Sequence, residues 1–76
     1  MELNIPEQAK LMSALLNNMG LAARKSAPGT SLAMLHRAFA LNPFDLAARI
    51  NLAALLADAG EDDEAQALLA PLITNG

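Results

Sequence analysis

Seventy-six residues with no cysteine leave one small domain that must rest on packing, and exclude disulfide frameworks, thiolate catalysis and cysteine-built zinc sites. Five basic against eight acidic residues give a net charge of −3, with Lys10, Arg24, Lys25, Arg37 and Arg49 mostly scattered, which is no electrostatic footprint for nucleic acid. The longest apolar run, LAALLA at 52–57, is far too short for a membrane span, and MELNIPEQAK at 1–10 has none of the apolar core of a secretory signal, so a cytoplasmic, soluble protein is the default expectation.

The apolar share, 54%, comes mainly from Ala, Leu and Met with no Val, Tyr or Trp, and these helix formers predict an all-α fold. A chain of this mass hides only ~60% of its unfolded surface. So rich a composition therefore predicts that some apolar surface meets another chain.

The first helix is expected over about 5–25. Asn4 is placed to cap it, Pro6 falls in the first turn and Glu7 follows three residues after the cap. Leu11, Met12, Leu15, Leu16 and Met19 recur at helical spacing, with Lys10, Ser13, Asn17 and Asn18 on other faces. Gly20 is read as tolerated within the helix, because LAARK puts two cations where a helix C-terminus favours them.

The second helix is expected over 30–42. Pro28 and Gly29 supply the turn before it, Thr30 or Ser31 the cap, and Pro43 the stop. Leu32, Leu35 and Phe39 form its apolar stripe. The third helix, 44–59, is apolar over a wide arc and therefore sandwiched, with Asp45 and Arg49 spaced for an ion pair and Gly60 fitted to the left-handed position after its end.

The four acids Glu61, Asp62, Asp63 and Glu64 then fall on the first turn of a fourth helix, 61–70, where exposed N–H groups favour negative charge. They lack the alternating calcium-loop pattern and are read as structural. Pro71 is expected to end or kink this helix near Ala70.

Taken in pairs, the helices suggest a period of about 34 residues. In residues 43–73 the order is Pro43, Leu52 followed by small Ala53, Leu56, Gly60, Ala65 and Leu69. This order resembles the tetratricopeptide repeat, departing from it at Arg49, where an aromatic is usual, and at Pro71. Residues 6–42 resemble it less: Leu35, Ala38 and Pro43 fit, whereas Asn18 and Ser26 stand where a leucine and a glycine belong. The resemblance implies two helix-turn-helix hairpins of four antiparallel helices in one domain, 1–76, with one good and one degenerate repeat.

In that family the first helix of each repeat lines a concave groove for an extended or helical peptide. The resemblance implies a groove face on the third helix made of Ala47, Ile50, Asn51, Ala54, Ala57 and Asp58. Asn51 is the sharpest candidate, since an asparagine at the matching place often hydrogen-bonds a ligand backbone; a solvated helix residue is the plain alternative. No lysine occupies these positions, which favours an apolar helix or strand as guest. Leu68, Leu69, Leu72 and Ile73 crowd the last helix and form a candidate self-association face.

His36 is the single imidazole and has no neighbouring acid in sequence to orient it, Ser13, Ser26 and Ser31 lack a nucleophile motif, and APGTS at 27–31 is turn chemistry rather than a phosphate loop. No enzyme activity, cofactor or metal is expected. The expected function is a protein-interaction scaffold for a peptide, helix or protomer, as a homo-oligomer or beside the remainder of a longer chain. The alternative is the N-terminal helical region of a larger enzyme, such as a glycosyltransferase or methyltransferase, serving docking or oligomerisation.

Overall fold

The computed structural model describes residues 4–73 and is all-α. Its elements are α1 (Glu7–Ala22), α2 (Pro28–Leu41), α3 (Leu46–Asp58) and α4 (Asp62–Ile73), with no strand among the described residues. In space α1 lies against α2, α2 against α3, and α3 against α4, while α3 also touches α1. The wide apolar arc of α3 is thus met on three sides. The Cα trace extends 39 × 32 × 12 Å, a thin slab that leaves broad helix faces open.

The core gathers around α3. Leu35, Leu52, Ala53, Leu55, Leu56 and Ala65 form one buried cluster, with Leu21, Leu32, Phe39, Leu68 and Leu69 packed against it. Ala53 and Ala65 lie in the same cluster, where small side chains let backbones approach.

Helix ends follow local chemistry, though not always at the expected residues. Asn4 does not cap α1; the helix starts directly after Pro6, whose fixed φ suits that position. Neither Thr30 nor Ser31 caps α2, which begins two residues earlier with Pro28 at its first position. Asp45 caps α3 instead of pairing with Arg49: its Oδ1 accepts from the Ala47 and Ala48 N–H groups at 3.0 and 3.4 Å. Gly60 stands at φ +84°. The N–H groups of Glu61 and Gly60 reach back to the carbonyls of Leu56 and Ala57 at 2.8 and 3.0 Å, the paired closure typical of a glycine-terminated helix. All four acids are exposed at the start of α4. Pro71 does not stop α4, which runs on to Ile73. It stands exposed in the last turn, where it deletes one intrahelical bond.

Helix α1 packs against α2 with an unexpected face. Its buried residues are Ser13, Asn17 and Gly20, small or polar and on one side of the helix. Ser13 Oγ donates to the Ala38 carbonyl at 2.7 Å, and Ser31 Oγ donates to the Gly20 carbonyl at 2.5 Å, so each helix offers a hydroxyl to the other's backbone. These contacts pair early α1 with late α2 and late α1 with early α2, as antiparallel neighbours must. The approach depends on Gly20: a Cβ there would lie 3.1 Å from Leu35 Cγ, 3.2 Å from the Ser31 carbonyl oxygen and 3.3 Å from Met34 Cβ. Glycine is kept within the helix because the two backbones need the space.

Candidate partner-binding face

Turning Ser13, Asn17 and Gly20 inward turns the apolar stripe of α1 outward. Leu11, Met12, Leu15 and Met19 are 62%, 50%, 56% and 51% exposed. Leu16 is half-buried beside α2. Four long apolar side chains on one helix face are more than scattered surface residues and make this face the candidate for a partner.

On α3 the six positions implied by the repeat share one side of the helix, opposite Leu52, Leu55 and Leu56. Ala47, Ile50, Ala54, Ala57 and Asp58 are exposed and Asn51 is half-buried. Asn51 Nδ2 donates to Asn17 Oδ1 at 3.1 Å, tying α3 to α1 beside this open side. Asn17 stands 34 residues before Asn51, the period expected from the sequence, and that spacing is the signal that could have found this partner. The bond uses one of the two Asn51 side-chain N–H donors. Asp58 instead edges a separate recess of about 230 Å³, shared with Arg24, Pro28, Gly29, Leu32, Leu55 and Ala59.

The candidate residues of α4 divide. Leu68 and Leu69 pack against the core, whereas Leu72 and Ile73 remain 41% and 73% exposed. Their inward neighbours are held partly by Arg49, whose Nη1 donates to the Leu68 carbonyl at 2.9 Å while its guanidinium lies 5.0 Å from the Phe39 ring centroid. Arg49 thereby ties α3 to both α2 and α4.

His36 acquires in space the acid it lacks in sequence, with Nε2 3.7 Å from Glu64 Oε2 across α2 and α4. Both side chains are about half exposed, and a solvated pair of this kind contributes little. No group of three or more His, Asp or Glu that could hold a metal ion occurs among the described residues, and no helix there is long and apolar enough to cross a membrane. No family model, curated protein or solved structure matches the chain.

Proposed function

We propose that the chain is a non-catalytic protein-interaction scaffold of tetratricopeptide-like layout, which receives a peptide, helix or protomer on an apolar helical face. The observation that carries this reading is the outward stripe of α1, Leu11, Met12, Leu15 and Met19, each at least half exposed. Methionines suit such a face, since their flexible thioethers adapt to varied apolar partners. The open side of α3, with Ile50 45% exposed and half-buried Asn51 at its edge, offers a second strip for the same or another guest.

A docking role within a larger enzyme is the other reading, and the exposed pair Leu72 and Ile73 at the end of α4 favours it. In both readings the chain works by binding.

The test is selection of displayed amphipathic helical peptides against the immobilised chain. The expected result is enrichment of peptides with apolar residues at helical spacing, lost for a variant carrying Leu11→Glu and Met19→Glu. Absence of enrichment, or enrichment indifferent to those substitutions, contradicts the reading.

A further inference from the structure

We infer that the outward face of α1 is occupied by a second copy of this chain, the two α1 helices pairing antiparallel across a two-fold axis at Leu15. The inference rests on the interaction-scaffold reading and names its partner.

The spacing on this face is that of a helix–helix seam. Gln8, Met12, Leu15, Met19 and Ala22 follow one another at intervals of four, three, four and three residues, with Leu11 and Leu16 flanking. This is the repeat that keeps one side of a helix in contact with another helix. Within the chain, however, α1 meets α2 through Ser13 and Gly20, and α3 through Asn17, on the opposite side. The seam is built, and among the described residues no helix covers it.

With the axis at Leu15, Leu15 faces its own copy, Leu11 of each copy faces Met19 of the other, Gln8 faces Ala22, and Met12 lies opposite Asn18. A two-fold interface requires this reciprocity.

Charge selects the antiparallel arrangement. Glu7, at the start of α1, pairs with Lys10 at 3.9 Å, whereas Arg24 and Lys25 follow the end of the helix. Antiparallel pairing brings Glu7 of each copy beside residues 23–25 of the other and opposes the helix dipoles. Parallel pairing would set Glu7 against Glu7 and the basic ends together.

The test combines sedimentation over a hundredfold concentration range with disulfide trapping, for which the cysteine-free chain is a clean background. The expected wild-type species at the upper end is a dimer of two 7.9 kDa chains. Leu15→Glu puts like charges together at the axis and should raise the dimer Kd on the order of a hundredfold, while Leu72→Glu with Ile73→Glu leaves it unchanged. Leu15→Cys should cross-link to itself on oxidation. Met12→Cys should not, since the two copies of residue 12 lie about 9 Å apart along the axis alone, beyond disulfide reach of about 7 Å. A mixture of Leu11→Cys and Met19→Cys chains should give the mixed dimer. The cysteine variants keep the test decisive if Leu15→Glu loses helix content.

Cross-linking of Met12→Cys as readily as Leu15→Cys overturns the antiparallel pairing. A dimer broken only by the α4 substitutions overturns the choice of face. A monomer throughout overturns the second copy; if that monomer still enriches displayed helical peptides, the scaffold reading stands without it, and if it enriches none, both fall.

Discussion

Replacing Gly20 by alanine sets two effects of opposite sign against each other. Alanine improves intrinsic helix propensity by ~1 kcal/mol. The new methyl group, however, meets Leu35 Cγ at 3.1 Å, the Ser31 carbonyl oxygen at 3.2 Å and Met34 Cβ at 3.3 Å. The leucine can turn, but the carbonyl belongs to α2 and is held by the hydrogen-bonded approach of Ser31 to Gly20. Relief therefore means separating the helices, and overpacking of this kind costs ~1 to 3 kcal/mol. The net expectation is a loss of about 1 kcal/mol, or a melting temperature lower by roughly 4 to 8 °C for a domain of this size. Gly29→Ala is the control: it lies in the first turn of α2 with nothing within 4 Å of its added Cβ, and should gain ~0.4 to 1 kcal/mol. Urea and thermal unfolding of both variants, at one protein concentration because self-association shifts apparent stability, give the comparison. Equal stabilisation by the two substitutions would refute the close α1–α2 approach.

Asp45→Ala should lose ~1 kcal/mol by uncapping α3, with Asp45→Asn retaining most of it; equal loss in both, by urea titration, would show that the carboxylate acts elsewhere. Gly60→Ala should lose ~1 to 2 kcal/mol because alanine resists the observed φ of +84°, although its Cβ would meet nothing; an unchanged unfolding midpoint would contradict that turn. Ala53→Leu should lose ~1 to 3 kcal/mol by overpacking the buried cluster, so a variant with undiminished melting temperature would place Ala53 outside it.

Local features of the fold were legible wherever one residue type has one dominant physical use. Pro43 limits α2, Gly60 ends α3 in the left-handed conformation, and the acids from Glu61 to Glu64 sit at the start of α4. The wide apolar arc of α3 marked it as sandwiched, and it packs against α1, α2 and α4. Other positions depend on what the rest of the chain brings to them. Asp45 caps because its carboxylate reaches two N–H groups, which frees Arg49 for the Leu68 carbonyl and the Phe39 ring. His36 gains Glu64 only when α2 and α4 come together.

The rotation of α1 was the least legible feature. Periodicity identifies an apolar stripe but not the side on which its partner lies. Here the inward side is chosen by two hydroxyls satisfied on backbone carbonyls and by a glycine that permits close approach, so Ser13 and Asn17 are buried while Leu15 is not. For the candidate site, the α3 positions were expected from the family resemblance, and all but half-buried Asn51 are exposed. The α1 stripe was visible as a pattern, but its availability to a partner emerges only from the packing.

The claim that this stripe faces a partner rather than the protein's own core is tested most directly by changing Leu11, Met12, Leu15 and Met19 together to glutamine, a good helix former, and recording far-ultraviolet circular dichroism through thermal unfolding. The account predicts that the variant keeps its helical spectrum and a cooperative transition. Collapse of the helical signal at low temperature would place the stripe in the core and contradict it.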